Sequence, residues 1–288
     1  MPKSKVKFQQ QKIEKKAASK DFRIYGVRKE EEFIQIDREL PPPYDTLFSS
    51  NGSVCAMFAP PGSGKSNLIS NLMLRDEYFK DLFTNGVYIV SPTIEQDLSS
   101  VHLKRFADFT STEYSEQLVK DIMDNINAGM DPTEEDEERG MSCVILDDIL
   151  GLIKPVNSIC NRLASTCRHL RSVVFFSLQS VKGLPATIRS NCSMTLIFYQ
   201  PSSKQFADIV ELHSLMGGEK NFIDCYNEAT NEKYGFLLCD WRRLAMYKHG
   251  AGTNEPVLLW RAFDDNGKRI KPLETNNKIE KPRDKTCI

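Results

Sequence analysis

The sequence lacks the patterns that would hold a zinc ion, a disulfide framework or a membrane span. It contains eight cysteines, but none are spaced as C-x-x-C, and its four histidines show no ligand spacing. Several cysteines, such as Cys55 and Cys143, lie in apolar strand-like runs, which predicts buried thiols in a reducing compartment. There is no signal peptide, no internal repeat and no apolar stretch of about 20 residues, the length that spans a bilayer. These absences predict a soluble protein of the cytosol or nucleus.

The charge is nearly balanced but unevenly distributed. The formal net charge is −1, yet residues 1–20 contain seven lysines and one acid, and residues 131–139 are mostly acidic. The basic segment suits either a solubilising tail or a non-specific contact with DNA phosphates or a structural partner. With 288 residues, 40% of them hydrophobic, the chain suits one large α/β domain. We predict a disordered basic tail at residues 1–22, the domain at 23–263 and a polar tail at 264–288.

Residues 54–66 read VCAMFAPPGSGKS and are the most informative stretch of the chain. An apolar run, a Gly/Pro loop and a segment of helical spacing, in that order, form the context of a phosphate-binding loop. Glycines let backbone N–H groups turn toward a triphosphate, and the helix N-terminus adds partial positive charge. Lys65 would reach the β- and γ-phosphates of ATP, and the Ser66 hydroxyl would ligate Mg²⁺. The predicted nucleotide-binding residues are Pro61, Gly62, Ser63, Gly64, Lys65, Ser66 and Asn67.

One position departs from the usual G-x-x-x-x-G-K-[ST] pattern, because Ala59 stands where the first glycine is expected. That position makes the turn out of the strand, and a methyl group there is a small steric burden. The Gly-x-Gly-Lys-Ser part that contacts phosphate is complete, so a nucleoside triphosphate site is still predicted.

Two acids end a second buried strand, residues 142–148, which read SCVILDD. Ligands bind at the carboxyl edge of parallel sheets, where these acids would lie. Asp147 would hold Mg²⁺, directly or through water, and Asp148 would orient and polarise the attacking water. A later strand, residues 172–179, ends in Gln179, whose amide can sense the γ-phosphate or hold the water. The structural alternative is that paired acids start a loop or cap a helix.

Two arginines are candidates for stabilising charge on the transferring phosphoryl group. Arg168 lies near the end of a predicted amphipathic helix at residues 159–170, and Arg189 lies in the segment IRSN at residues 188–191. A guanidinium group suits this role because it presents several donors to phosphate oxygens. Either arginine could equally be a structural salt-bridge residue.

The remaining periodicities predict the rest of an α/β fold. Strands are expected at residues 86–92, 105–109 and 192–199, and helices at 112–127, 203–215 and 218–228. Strands at 234–240 and 244–247 predict a hairpin, with a last strand at 256–260. The predicted fold is therefore a RecA-like P-loop NTPase, in which helices sandwich a mostly parallel sheet extended by a C-terminal antiparallel hairpin.

The chain resembles the FtsK–HerA superfamily of hexameric DNA-pumping ATPases through four ordered motifs: APPGSGKS at 59–66, VILDD at 144–148, CRHLRSVVFFSLQS at 167–180 and LPATIRSN at 184–191. Within it, the pattern is most similar to the poxvirus-type genome-packaging ATPases of large DNA viruses and virophages. The resemblance implies a homo-oligomeric ring around double-stranded DNA, with ATP between neighbours and an arginine supplied in trans. It also implies packaging of DNA into a preformed capsid, with a capsid or portal-like protein as partner, in the host cytoplasm (viral factory) or nucleus.

Four other functions are compatible with a P-loop. A GTPase is suggested by DILG at 148–151, but the guanine-selecting N-K-x-D is missing, since residues 277–280 read NKIE. A small-molecule kinase usually needs an arginine-rich lid, and the arginines here are scattered. An adaptor that uses ATP only as a switch needs no water-positioning group, so Asp148 and Gln179 favour turnover. A cellular DNA-transfer or segregation ATPase or helicase of the same superfamily is the runner-up, and stimulation of the ATPase rate by duplex DNA is the most informative test.

Overall fold

The computed structural model describes residues 40–49, 52–96, 101–130, 140–149, 151–154, 156–250 and 252–270. The predicted basic tail, the acidic run at 131–139 and the predicted polar tail beyond residue 270 lie outside the described residues, so the domain boundaries stay predictions. In the described part of the chain, every helix is too short or too polar to cross a bilayer.

Runs of β-branched and aromatic residues form a nine-stranded sheet within these ranges. The parallel strands are β1 Ser53–Phe58, β2 Val87–Val90, β3 Phe109–Ser111, β4 Ser142–Asp147, β5 Ser172–Leu178 and β6 Met194–Phe198. An antiparallel extension follows, made of β7 Phe236–Asp240, β8 Ala245–His249 and β9 Val257–Arg261, in which β7 pairs antiparallel with β6, β8 with β7 and β9 with β8. The order across the sheet is β3-β2-β4-β5-β1-β6-β7-β8-β9. The predicted parallel sheet and its antiparallel C-terminal extension are confirmed.

Helices cover both faces of the sheet and create two apolar cores. They are α1 Tyr44–Leu47, α2 Lys65–Leu74, α3 Val101–Phe106, α4 Glu116–Ala128, α5 Ile159–Thr166, α6 Ala186–Asn191, α7 Ser203–His213 and α8 Glu219–Ala229. One core lies between the sheet and α1 to α3, and the other lies between the sheet and α4 to α8. Successive strand residues enter opposite cores, as Val144 and Ile145 do in β4. The cysteines in the described residues are buried, as predicted.

The predicted strand at residues 105–109 is wrong. Residues 101–106 form α3, and the edge strand β3 begins only at Phe109. The Ala107 N–H donates to the Leu103 carbonyl (3.0 Å), which continues the helical bonding, and the Asp108 carboxylate then accepts from the Val87 N–H (2.7 Å). Burial of Leu103 in the core beside α2 stabilises the helix. A short apolar run cannot by its periodicity distinguish such a helix from a strand.

His213 is a buried histidine whose protonation opposes folding. Its Nε2 lies 2.8 Å from Thr195 Oγ1, and its Nδ1 lies 2.8 Å from the Ile209 carbonyl oxygen. Burial lowers the pKa of His213 from 6.5 to about 4, and the hydrogen bond to Ile209 offsets only part of this shift. The unfolded chain therefore binds a proton at higher pH than the folded chain. The free energy of unfolding consequently decreases as the pH falls from 6.5 to about 4.

We expect acidification from pH 6.5 to pH 4 to lower the free energy of unfolding by about 3 kcal/mol through His213 alone. Urea unfolding of the full chain at several pH values measures this slope. His213→Gln should remove this part of the pH dependence, and His169→Gln, which removes an exposed imidazole, is the matched control. An unchanged slope in His213→Gln would contradict the prediction.

Candidate active site

The glycine loop joins β1 to α2 at the carboxyl edge of the parallel strands, as predicted. β1 ends at Phe58 and α2 begins at Lys65. Gly62 and Gly64 have φ angles of 74° and 96°, which glycine adopts readily because it has no Cβ. The Ser63 hydroxyl is buried and has no hydrogen-bond partner among the described residues. A buried polar group of this kind needs a partner, which a bound phosphate would supply.

The other predicted nucleotide-binding residues lie in the same loop and the first turn of α2. Pro61 and Gly62 are exposed, whereas Ser66 and Asn67 are half-buried in the helix. The N–H groups of a first helical turn have no intrahelical acceptor, and Gly64 supplies no side-chain cap. This turn is therefore suited to an anion.

Ala59 is accommodated by the core rather than by the loop. Its side chain is fully buried and packs in the same core as Leu68 and Leu72 of α2. Its N–H donates to the Leu178 carbonyl (2.9 Å), which holds the end of β1 beside β5. The methyl group thus lies beneath the phosphate-binding loop, which explains how the fold tolerates the departure from glycine.

Lys65 connects the loop to the two predicted acids. Its ammonium lies 2.9 Å from Asp147 Oδ1 and 3.0 Å from Asp148 Oδ1. Burial lowers the pKa of Lys65, but the charges and hydrogen bonds of the two carboxylates outweigh this effect, so the pKa is raised. Lys65 therefore stays protonated and neutralises part of the carboxylate charge. The structure brings these three residues together, while their chemical roles stay predictions.

Strand alternation explains why Asp147 faces the loop. It ends β4 on the same side as Ile145, which packs in the core beside α2. The Ser91 hydroxyl, just after β2, donates to Asp147 Oδ2 (3.0 Å) and orients the carboxylate. Asp148 has a φ of 51°, a left-handed conformation that is unusual outside glycine. This turn brings its carboxylate back to Lys65 instead of letting the side chain continue to the opposite face.

Gln179 joins the cluster because β5 lies between β1 and β4 in the sheet. It follows β5 directly, and its Nε2 lies 3.4 Å from Asp148 Oδ1. Ser177 pairs with Asp147 in the register of β4 and β5, and its hydroxyl is buried without a partner among the described residues. Ser91 and Ser177 are site residues that sequence reasoning missed, since a serine at a strand end belongs to no motif.

Arg168 and Arg189 do not join this cluster. Arg168 precedes β5 and Arg189 lies in α6 before β6, whereas the glycine loop and the acids follow their strands. Parallel strands share one direction, so the two arginines lie where the strands begin, at the opposite edge from the carboxyl ends that hold the glycine loop and the acids. Burial lowers the pKa of Arg242, and the nearby Arg168 charge lowers it further. Arg242 donates to the carbonyl oxygen of Gly52 (2.8 Å), the residue just before β1. Because Arg168 is near Arg242, it lies where the parallel strands begin, away from the glycine loop of the same chain.

The residues around Lys65 fit a Mg²⁺ ion that also uses phosphate oxygens. The described residues contain no group of three His, Cys, Asp or Glu that could hold a metal by themselves. The Ser66 hydroxyl and the Asp147 carboxylate are hard oxygen donors, which Mg²⁺ prefers, and such sites take their remaining ligands from water and substrate phosphates.

The fold and the site together define a P-loop ATPase: a glycine loop between strand and helix, its lysine, and strand-end acids at one edge of a parallel sheet. A family model described as Poxvirus A32 protein matches residues 48–239. The chain belongs to this family, which confirms the predicted resemblance to the poxvirus-type genome-packaging ATPases. No curated protein matches the chain at a significant level.

Several solved structures have a similar fold. The genome packaging NTPase B204 from Sulfolobus turreted icosahedral virus 2, in complex with ATP-gammaS, is 16% identical, with a TM-score of 0.50 over 69% of this chain and 97% of that one. B204, the DNA-packaging ATPase from Sulfolobus Turreted Icosahedral Virus, is 15% identical, with a TM-score of 0.51 over 69% and 98%. The virus 2 protein in complex with sulfate is 14% identical, with a TM-score of 0.51 over 71% and 99%. These likenesses confirm the predicted fold class.

Proposed function

We propose that this chain is a motor that hydrolyses ATP to translocate double-stranded DNA and packages a viral genome into a preformed capsid. The observation that carries the proposal is the contact of Lys65 with both strand-end acids, at 2.9 Å and 3.0 Å. This contact connects the phosphate-binding loop with groups that can activate water. Membership of the Poxvirus A32 protein family supports the packaging function, and the B204 complex with ATP-gammaS supports ATP as the nucleotide.

Each residue of the cluster has a role that its position supports. Lys65 and the N–H groups of residues 61–67 would bind the β- and γ-phosphates. Ser66 and Asp147 would hold Mg²⁺, which neutralises charge on the phosphate oxygens. Asp148 would accept the proton of the attacking water, and Gln179, 3.4 Å from that carboxylate, would orient the water through its amide.

The arginines would act between subunits. Arg168 and Arg189 lie at the sheet edge opposite their own glycine loop, so either could stabilise transition-state charge only at a neighbour's nucleotide. A homo-oligomeric ring around duplex DNA would supply that neighbour. We further propose that the ring docks on a capsid or portal-like protein at the viral assembly site of the host cell.

Asp148→Asn tests the assigned chemistry. We expect Mg·ATP binding to be retained and turnover to fall by about 10²–10⁴-fold, because an amide cannot act as a base while Asp147 still serves the metal. Asparagine also tolerates a left-handed backbone, so the φ of 51° at this position should not prevent folding. Nucleotide binding and phosphate release, each measured on the purified full chain, separate the two effects.

The matched control is Asp208→Asn, which removes a carboxylate that pairs with Lys182 (2.8 Å) outside the cluster. It should hydrolyse ATP at the wild-type rate. The wild-type rate should also rise when duplex DNA is added. Loss of ATP binding together with turnover in Asp148→Asn would make Asp148 a metal ligand or a fold residue, and a rate indifferent to duplex DNA would argue against the motor.

A further inference from the structure

Tyr234 lies against the glycine loop on the side away from the acids. A Cβ added to Gly64 would lie 3.2 Å from Tyr234 Cδ1, so the ring is in contact with the loop. Tyr234 precedes β7, and β6 and β7 lie on the opposite side of β1 from β5 and β4. The glycine loop thus has carboxylates on one side and an aromatic ring on the other.

The backbone of Tyr234 is strained although its ring is not fully buried. Its φ is 68°, a left-handed conformation that residues with a Cβ rarely adopt. The residue is nevertheless 48% exposed, so burial does not account for the strain. Strained residues that the surrounding structure enforces are concentrated at ligand sites.

The neighbours of Tyr234 hold its ring in place. The Gly235 N–H donates to the Glu232 carbonyl (3.0 Å), which closes the turn before β7. The Tyr234 carbonyl oxygen packs against Gly250, where any side chain would clash. The Lys233 ammonium lies 4.9 Å from the ring centroid, within range of a cation–π interaction. The ring is therefore preorganised.

We propose that Tyr234 forms a base-binding subsite, in which its ring stacks on the base of the nucleotide held by the glycine loop. The proposal rests on the proposed ATPase function. With the γ-phosphate beside Lys65 and Asp148, the nucleoside would leave the loop on the other side, where Tyr234 lies. Aromatic stacking tolerates every base, because each base has a π-face. The ligand class is therefore any nucleoside triphosphate, rather than adenine alone.

The test compares two probes, ATP and inorganic tripolyphosphate, by competition with a fluorescent nucleotide on the full chain. Tyr234→Leu should raise the Kd for ATP by about 5- to 150-fold, the range expected for loss of a base stack. It should leave the affinity for tripolyphosphate unchanged, because that probe has no base. Tyr234→Phe should bind both probes like the wild type. Phe263→Leu, which removes another exposed aromatic ring beyond β9, four strands away from β1, is the matched control.

Four outcomes would overturn the subsite. Parallel loss of both probes in Tyr234→Leu would mean that the ring only supports the loop. Unchanged ATP affinity in that variant would mean that the base does not touch the ring. An equal loss in Phe263→Leu would show a general effect of removing a surface aromatic. Failure of the wild-type chain to bind either probe would instead reject the nucleotide site itself, and the subsite with it.

Discussion

Lys65→Ala is expected to reduce ATP hydrolysis by about 10²–10³-fold or more and to weaken ATP binding, because it removes the cation that we propose faces the β- and γ-phosphates. The structure adds a second consequence. Asp147 and Asp148, whose side chains are only 14% and 23% exposed, would lose the ammonium that neutralises them. Uncompensated charges in such a site should also lower the free energy of unfolding by roughly 1–3 kcal/mol. Steady-state hydrolysis, nucleotide titration and urea unfolding of the purified variant measure the three effects.

Lys182→Ala is the matched control for Lys65→Ala. It removes a lysine that pairs with a single carboxylate, Asp208, and is 63% exposed, so binding, turnover and stability should change little. A Lys65→Ala chain that is folded and turns over ATP at the wild-type rate would place the active site elsewhere.

Arg189→Ala is expected to lower the ATPase rate of the assembled protein by about 10³–10⁵-fold, the contribution of an arginine that stabilises the transferring phosphoryl group. Because Arg189 lies at the sheet edge opposite its own glycine loop, this loss requires a neighbouring subunit. Activity per subunit should therefore rise steeply with protein concentration, and duplex DNA should raise it further by gathering subunits. The attraction to DNA should weaken with salt, as contacts to phosphates do.

A mixing experiment tests the assignment in trans. Arg189→Ala subunits and Lys65→Ala subunits, each inactive alone, are combined so that an intact arginine can complete an intact glycine loop next door. Recovery of activity supports the assignment. Arg168→Ala subunits test the second candidate in the same way. The control is Arg162→Ala, which removes an exposed arginine of α5. No recovery in verified mixed rings, or concentration-independent turnover by a monomer, would return Arg189 to a structural role.

The glycine loop and the acids could be predicted because their signals are local. Residues 54–66 contain a strand, a turn and a helix start in one continuous stretch. Asp147 and Asp148 follow an apolar run, and the carboxyl ends of parallel strands meet at one edge whatever the order of the strands. The presence of the acids at the edge that holds the glycine loop could therefore be predicted, whereas the direct contacts of Lys65 with both carboxylates were seen only in the structure.

The predicted strand at 105–109 was wrong because the conformation of this segment is not decided by local signals. Whether Leu103 packs as part of a helix depends on the core beside α2, and that core is assembled from distant segments. The α3 helix and the edge strand β3 are therefore decided by tertiary packing, which outweighs weak local preferences.

By itself, the sequence determined the phosphate-binding loop, the acids at a strand end and the α/β class, because periodicity and turn chemistry act over neighbouring residues. Only the tertiary structure decided that β5 lies between β1 and β4, which brings Gln179 to Asp148. It also decided that Ser91 donates to Asp147 and that Tyr234 contacts Gly64. The two arginines lie where the parallel strands begin, at the opposite edge from the glycine loop. The physical reason is that strand order and contacts between remote segments follow from burying two cores at once, and no single segment of the chain encodes that arrangement.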